Sequence, residues 1–273
     1  MMVIPVFLTA ALLLLAFMSC MYLVGLAAKD NSLVDIAYGP AFVLTGWGTW
    51  WLADGPVHFR PLLLLALVSF WGLRLALHIG YRHQGRGEDF RYRSFREKWG
   101  NTLIWRSFLQ IYLLQGAVVL IILTPVLLTI AVPGSGPRWT DLLGGLLFAL
   151  GIFFEAVSDW QLLRFTRNPA NRGRIIRKGL WRYSRHPNYF GEAVLWWGIL
   201  LIGLGSPIGI WGLISPLTIG FLLLKVSGIP MLEAKYNGNP EFDEYKARTS
   251  VFFPWFPSTD NKNRPSTHTS EQA

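Results

Sequence analysis

The sequence predicts an all-α integral membrane protein with seven transmembrane helices. Apolar residues make up 52% of the 273-residue chain and charged residues only 15%, whereas a soluble domain carries about 25% charged residues. Several apolar runs reach the roughly 20 residues that a helix needs to cross the hydrocarbon core of a bilayer. Thirteen tryptophans and nine tyrosines suit a chain with many water–lipid boundaries. A soluble globular fold is therefore disfavoured.

Seven apolar runs follow one another along the chain, each bounded by charged residues or by turn-forming glycine and proline. No basic residue precedes the first run, so we interpret it as a retained helix and not as a cleaved signal peptide. One membrane domain is predicted over residues 1–257, and a disordered tail over the polar, aperiodic residues 258–273. We place the spans at about residues 4–28, 33–53, 61–81, 108–132, 142–159, 189–204 and 208–226.

Lysine and arginine are concentrated in alternate connections between the predicted spans. Residues 82–107 hold seven of them and residues 160–189 hold eight, together 15 of the 25 basic residues in the chain. Short loops rich in these residues stay on the cytosolic side of a membrane. Seven spans therefore place the N-terminus outside and the C-terminus in the cytosol.

Fifteen cations at one membrane face also raise the question of a ligand. Orientation and attraction to anionic headgroups are one explanation. The other is a cytosol-facing pocket for a phosphate-bearing cofactor, because guanidinium groups bind phosphate bidentately, with Tyr183 and Trp196 available for stacking. Nucleic acid is disfavoured, since the basic loops are short and tethered at the bilayer. The arginines that we predict to contact the cofactor are Arg91, Arg164, Arg167, Arg174 and Arg177.

Ionisable side chains within apolar spans are costly and mark candidate functional sites. Asp35 and Tyr38 lie one helical turn apart in the second span, and Arg74, His78 and Tyr81 share one face of the third. Such a cluster could polarise a carbonyl group or deliver a proton to carbon. Structural alternatives stay open: a capping role for Asp35, an ion pair for Arg74 and a packing role for His78. No metal site is expected, because the histidines lack ligand spacing and the chain has one cysteine.

Three motifs carry a resemblance to a known family. The run from Gly179 to Glu192, Gly-Leu-Trp-Arg-Tyr-Ser-Arg-His-Pro-Asn-Tyr-Phe-Gly-Glu, resembles the C-terminal signature of the steroid 5α-reductase-like membrane family, in its bacterial branch. That branch also shows an acidic residue early in the second span, matched by Asp35, and a Gly-Glu-Asp-Phe-Arg-Tyr motif, matched by residues 87–92. The resemblance covers about residues 30–257.

This resemblance implies an enzyme of a bacterial inner membrane that takes NADPH from the cytosolic side. Hydride would pass to the β-carbon of a hydrophobic enone, such as a 3-oxo-4-ene steroid, while Asp35 and either Tyr38 or Tyr81 polarise the carbonyl group. The loop arginines favour NADPH over NADH, since they could hold a 2′-phosphate. The further cofactor contacts that we predict are Asp159, Tyr183, His186, Asn188, Glu192, Trp196 and Tyr245.

Two other functions remain open at this stage. Methyltransferases of the isoprenylcysteine carboxyl type also use an Arg-His-Pro-x-Tyr-x-Gly run, followed by a glutamate and a tyrosine-rich tail that Glu233 and Tyr245 fit. Their cofactor, S-adenosylmethionine, carries no phosphate and gives no reason for the loop arginines or for Asp35. A non-enzymatic lipid-binding or scaffold protein is the third possibility, although no protein partner is evident.

Overall fold

The computed structural model describes residues 2–55, 57–85 and 87–258. Helices of the α, 3₁₀ and π types make up its regular structure, and the described residues contain no β-strand, so the all-α prediction is confirmed. The predicted disordered tail lies outside the described residues apart from Ser258. The helices are α1 (Val3–Ala28), α2 (Leu33–Leu52), α3 (Phe59–His83), α4 (Phe90–Ile122), α5 (Thr124–Ala131), α6 (Trp139–Arg167), α7 (Pro187–Gly203), α8 (Gly209–Ala234) and α9 (Pro240–Arg248).

Five described helices, α1, α3, α4, α6 and α8, are long and apolar enough to cross a membrane. Their large apolar side chains include many that are exposed on the protein surface, as Leu12, Leu77 and Leu146 are, which is the arrangement that contact with lipid requires. The predicted spans 33–53 and 189–204 are also helical, as α2 and α7. Asp35, Pro40 and three glycines make α2 less apolar, and α7 has only 17 residues.

The predicted fourth span differs from the observed helices in two places. Helix α4 begins at Phe90, inside the basic segment predicted as a connection, because the Asp89 side chain caps it by accepting from the Arg91 N–H at 3.0 Å. The predicted fourth span, 108–132, is interrupted at Leu123. Pro125 has no N–H to continue the helical hydrogen bonds, so α5 starts there as a separate helix.

Helix α6 extends past the predicted end of the fifth span at residue 159. It continues to Arg167, and Arg164 and Arg167 lie in its last turn. Cations at this end are favoured by the partial negative charge of the helix dipole. The basic residues thus lengthen the helix and do not end it.

The described residues divide into two compact units. Unit 1 comprises those within 1–152 and 193–222, and unit 2 those within 153–192 and 223–258.

Unit 1 is packed around aromatic rings and close helix crossings. The Trp71 ring meets the Phe42 and Trp196 rings edge to face at centroid distances of 5.2 Å, and all three side chains are fully buried. At the crossing of α2 and α3, Gly39 and Gly72 bring the two backbones together: a Cβ on Gly39 would lie 2.0 Å from the Gly72 carbonyl oxygen. Glycine is therefore required at this crossing.

A buried arginine joins three segments of the chain at one end of unit 1. Arg60, at the start of α3, donates to both carboxylate oxygens of Asp141 at 2.8 and 3.0 Å. Its guanidinium group also donates to the carbonyl oxygens of Ser135, Gly136 and Gly205. A buried cation needs such complete pairing to offset its desolvation. Arg60 therefore links the start of α3, the connection before α6 and the connection after α7.

Candidate functional site

The Asp35 carboxylate lies at the centre of a hydrogen-bonded cluster in unit 1. Tyr92 donates its phenolic O–H to one Asp35 oxygen at 2.7 Å, and the Arg91 guanidinium group donates to the other oxygen at 2.7 Å. Arg91 also donates through Nε to Asp89 at 2.9 Å. The carboxylate is thus fixed between a phenol and a guanidinium group, and the Tyr92 side chain is almost fully buried.

Local structure explains how the first turns of α2 and α4 come to share this cluster. The Asp89 cap places Arg91 and Tyr92 in the first turn of α4. The loop before α2 is tied to the same region, because the Asn31 N–H donates to Glu88 at 2.9 Å and the Asp89 N–H donates to the Ser32 hydroxyl at 3.3 Å. The starts of α2 and α4 are therefore held next to each other.

Glu88 anchors this connection through charge as well as geometry. Its carboxylate accepts from Arg96 Nε at 2.9 Å and from Arg96 Nη2 at 2.8 Å. Burial acts to raise the pKa of Glu88, but the hydrogen bonds from Arg96 and from the Asn31 N–H outweigh it and lower the pKa below its ordinary value. Glu88 is consequently held as a carboxylate.

The other predicted catalytic residues lie on α2 and α3. The Tyr38 ring packs edge to face against Phe42 at 5.0 Å and against Trp71 at 6.3 Å. Arg74 and His78 are half-buried on α3, and Tyr81 is 45% exposed. Tyr92, which was not among the predicted catalytic residues, donates the hydrogen bond to Asp35 that defines the cluster.

Tyr92 was not predicted because the apolar spans, where ionisable residues are conspicuous, contain other tyrosines. It lies instead in a charged segment that was predicted to be a connection. The available signal was its position at the end of the motif over residues 87–92, directly after Arg91. A tyrosine in a family motif next to a predicted functional arginine was therefore a candidate on sequence alone.

Unit 2 contains a second polar cluster, centred on Arg185 and Glu233. Arg185 donates through Nε to Glu233 at 2.8 Å, and the His186 ring lies 3.0 Å from the same carboxylate oxygen. Arg185 also donates to the carbonyl oxygens of Lys246 and Thr249, each at 3.0 Å. Arg185 and His186 are buried, so the Arg-His-Pro turn is a structural junction with the C-terminal segment. Neither Arg185 nor Glu233 was among the predicted cofactor contacts.

Tyr245 belongs to the same junction. Its phenolic O–H bonds to the carbonyl oxygens of Trp181 and Ser184, and its side chain is buried. Burial raises the pKa of the Tyr245 phenol above its ordinary value. Tyr245, predicted as a cofactor contact, therefore already has protein partners that hold α9 against the Arg-His-Pro turn.

Asn188, at the start of α7, has an amide group with an unused acceptor. Its Nδ2 donates to Asp159 at 3.3 Å, so two of the predicted cofactor residues lie together. The side-chain oxygen of Asn188 is buried and accepts no hydrogen bond from the described residues. A buried polar atom in this condition is costly unless a ligand or water completes it. This oxygen is the clearest candidate ligand contact in unit 2.

Comparison with known proteins places the chain in a family. Residues 21–249 match the family model described as "Protein of unknown function (DUF1295)". The chain belongs to the DUF1295 family. None of the curated proteins and none of the solved structures compared with it matches it significantly. The DUF1295 match includes both the Asp35 cluster of unit 1 and the Arg185 cluster of unit 2.

The arginines of this DUF1295 chain that were predicted to contact the cofactor differ, within unit 2, in their contacts with other protein groups. Arg177 donates to Glu244 at 2.9 Å and lies over the Tyr245 ring, so it supports α9. Arg164 lies over the Trp160 ring with an exposed guanidinium group. The predicted arginines with exposed side chains in unit 2 are Arg164, Arg167 and Arg174.

The remaining predicted contacts are aromatic or acidic. Tyr183 and Glu192 are half-buried in unit 2. Trp196 lies in unit 1, where its ring is fully buried against Phe42 and Trp71, and its indole N–H donates to no described residue. Stacking of Trp196 on a cofactor would require this aromatic packing to open.

Proposed function

We propose that this DUF1295 protein is a membrane reductase of the steroid 5α-reductase type, which adds hydrogen across a carbon–carbon double bond conjugated to a carbonyl group. The observation that carries the proposal is the 2.7 Å hydrogen bond between Tyr92 and Asp35, supported by Arg91. The family that the sequence resembles uses an acid and a tyrosine to polarise a substrate carbonyl. Asp35 and Tyr92 form such a pair, so Tyr92 replaces Tyr38 and Tyr81 in that role.

The pair can stabilise the charge that develops during this reduction. When the β-carbon of an enone accepts hydride, electron density moves to the carbonyl oxygen and forms an enolate. With Asp35 protonated, its O–H donates to the Tyr92 oxygen in place of the bond described above, and the Tyr92 O–H donates a hydrogen bond to the carbonyl oxygen. Neither of these two protons leaves the pair. The enolate then takes a proton from solvent at its α-carbon, so one hydride and one proton are added overall. Arg91 orients the carboxyl group throughout.

The proposed cofactor is NADPH, and the donor set of unit 2 is compatible with it. When bound, it supplies the hydride. The exposed guanidinium groups of Arg164 and Arg174 provide charge-assisted donors for its phosphates. The buried, unsatisfied oxygen of Asn188 can accept from an N–H of a carboxamide. Glu233 holds the Arg-His-Pro turn that precedes Asn188 in a fixed position.

The proposal includes seven spans, with α2 and α7 as the two additional ones, and a cytosolic cofactor side in a bacterial inner membrane. Contacts at the helix ends of unit 1 support this topology. Arg60 joins three connections that seven spans place together outside. At the opposite helix ends, Asn31 and Ser32 bond to Glu88 and Asp89, in two segments that seven spans place together in the cytosol.

A cofactor titration tests the proposal against the methyltransferase alternative. Thermal unfolding of the purified full chain is followed with NADPH, NADH and S-adenosylmethionine. A ligand that binds only the folded protein stabilises it by about 2.7 kcal/mol at 100 times its Kd. We expect stabilisation by NADPH, and consumption of NADPH when a 3-oxo-4-ene steroid is added as the test enone. Stabilisation by S-adenosylmethionine alone would identify a methyltransferase, and no effect of any cofactor would identify a non-enzymatic protein.

A further inference from the structure

A cavity of about 230 Å³ lies in unit 1 beside the C-terminal end of α1 and apart from the hydrogen bonds of Asp35. No step of the proposed reduction uses it. Polar, cationic and apolar side chains all contribute to its wall, among them Leu26, Lys29, Asn31, Arg96, Ile104 and Ser107.

The cavity lies where two helices change from apolar to charged sequence. Helix α1 is apolar up to Ala28, and Lys29 is the first charged residue after it. Helix α4 changes in the opposite direction, from the charged turns over Phe90–Trp99 to an apolar continuation after Ser107. Such a change marks the boundary between the hydrocarbon core and the headgroup region. The cavity therefore spans the depth at which a lipid headgroup joins its acyl chains.

Two cations of the wall are arranged for an anion. The Lys29 ammonium group is exposed and forms no ion pair or hydrogen bond with the described residues. Arg96 is held by its two hydrogen bonds to Glu88 and donates through Nη2 to the Lys29 carbonyl oxygen at 3.0 Å. Glu88 offsets the charge of Arg96, and the neighbouring Asp30 carboxylate pairs with His83 at 3.0 Å and is not part of the wall, so Lys29 is the cation of the wall that is left for an anion. Lys29 is the C-cap residue of α1 and has a left-handed backbone with φ of 54°.

A neutral donor lies in the same wall. The Asn31 side chain donates to the Ser107 hydroxyl at 3.3 Å, so the hydroxyl proton of Ser107 stays available to a ligand oxygen. Leu26 and Ile104 complete the wall with apolar surface, and both are also exposed on the outside of the protein. A ligand can therefore have one end among donors and the other end in lipid.

We propose that this cavity binds the phosphodiester headgroup of an anionic membrane lipid. Lys29 and Ser107 contact the phosphate oxygens beside the fixed guanidinium group of Arg96, and the acyl chains follow Leu26 and Ile104 into the bilayer. A zwitterionic lipid carries a compensating ammonium group and binds more weakly. Free inorganic phosphate lacks the apolar part that the wall accommodates, and it also binds more weakly.

The test uses the purified full chain without cofactor or enone, so its outcome is independent of the proposed reductase activity. Thermal stability is measured in nanodiscs of phosphatidylcholine with increasing phosphatidylglycerol, and in detergent with inorganic phosphate. Lys29→Gln is compared with Lys98→Gln, which removes an exposed cation from α4 outside the cavity wall. We expect phosphatidylglycerol to stabilise the wild type, and Lys29→Gln to weaken this binding about fivefold. Lys98→Gln should leave it within about twofold.

Three results would overturn the assignment. Equal stabilisation by the two lipids would show that headgroup charge is not recognised, and equal losses in the two variants would show only general attraction to an anionic surface. Inorganic phosphate as effective as phosphatidylglycerol would show a site for the free anion. Leu26→Trp, which adds bulk at the exposed edge of the cavity, provides a second variant: it should weaken phosphatidylglycerol binding while Lys29 keeps its charge.

Discussion

Asp35 is the residue whose environment most constrains the chemistry. A carboxyl group that accepts from both a phenol and a guanidinium group is oriented without rotational freedom, and Tyr92 is fixed in turn by its bond to Asp35. Preorganised donors of this kind lower the barrier because they need no rearrangement when charge develops. In the proposed reduction, the pair would therefore stabilise the developing enolate oxygen from a fixed position.

Replacing either member of the pair tests this role. We expect Asp35→Asn and Tyr92→Phe each to reduce kcat for enone reduction by about 10²- to 10³-fold, because each removes a hydroxyl of the hydrogen-bonded pair that stabilises the developing oxyanion. NADPH affinity should stay unchanged in both. Asp54→Asn, at an exposed position in the same unit, serves as the control. Lost NADPH affinity with normal turnover at saturating cofactor would refute the assignment.

Glu88 gives a prediction for pH. Its folded-state pKa is lowered from 4.5, so its carboxylate contributes stability that is fully present above about pH 4.5 and is lost as the pH falls through the lowered value. At neutral pH, Glu88→Gln should cost about 1.5–3 kcal/mol, the range for hydrogen bonds to a charged group. The stability difference between wild type and variant should shrink at acid pH, as measured by thermal unfolding in detergent. A difference that stays constant from pH 7 to about pH 3 would contradict it, and Glu97→Gln is the exposed control.

The sequence indicated part of this site, but it did not indicate which residues pair with one another. Asp35 can be recognised because a carboxylate within an apolar run is energetically costly, which marks the position as a candidate functional site. Tyr92 and Glu233 lie in segments of ordinary polarity, where such residues are common. Their roles depend on chain folding that brings positions 57 and 48 residues apart into hydrogen bonds. No local pattern encodes those pairings.

Helix positions were predicted more completely than helix ends. The apolar runs predict α1, α2, α3 and α7 to within a few residues. The reason is that the hydrocarbon thickness of the bilayer sets the apolar length that a spanning helix needs. The ends of α4 and α6 were missed, since capping by Asp89 and cations at a helix C-terminus extend helices into charged sequence. Hydropathy measures the membrane-spanning part of a helix and not its full length.

Two adjacent glycines of α6 give a matched test of helix packing. A Cβ on Gly144 would lie 2.5 Å from the Gly198 carbonyl oxygen of α7, whereas a Cβ on Gly145 would have no neighbour within 4 Å. We expect Gly144→Ala to force α6 and α7 of unit 1 apart and to lower the thermal unfolding midpoint strongly. Gly145→Ala should be neutral or stabilising by up to about 1 kcal/mol, because alanine loses less conformational freedom in a helix. Equal effects of the two substitutions would mean that α6 and α7 do not cross at Gly144.

At the scale of the whole molecule, the distribution of charge and the contacts at helix ends argue for the same topology. The two segments with 15 of the 25 basic residues belong to one side under seven spans, and the Arg60 contacts join connections of the other side. A topology of five spans would contain only the helices that are long and apolar enough to cross a membrane. It would move several connections to the opposite side of the membrane. The two topologies therefore predict opposite accessibility for the same residues.

Thiol labelling distinguishes these topologies, since Cys20 is the one cysteine of the chain and can be replaced by alanine. In that background we expect Ser135→Cys, in the connection before α6, to react with a membrane-impermeant maleimide in intact cells. Asn171→Cys, after α6, should react only once the cells are permeabilised, because seven spans place the basic segment 160–189 in the cytosol. Five spans with the same outside N-terminus give the reverse pattern. Labelling of Asn171→Cys in intact cells would thus contradict the seven-span topology. It would also contradict the cytosolic position of the arginines proposed to bind NADPH.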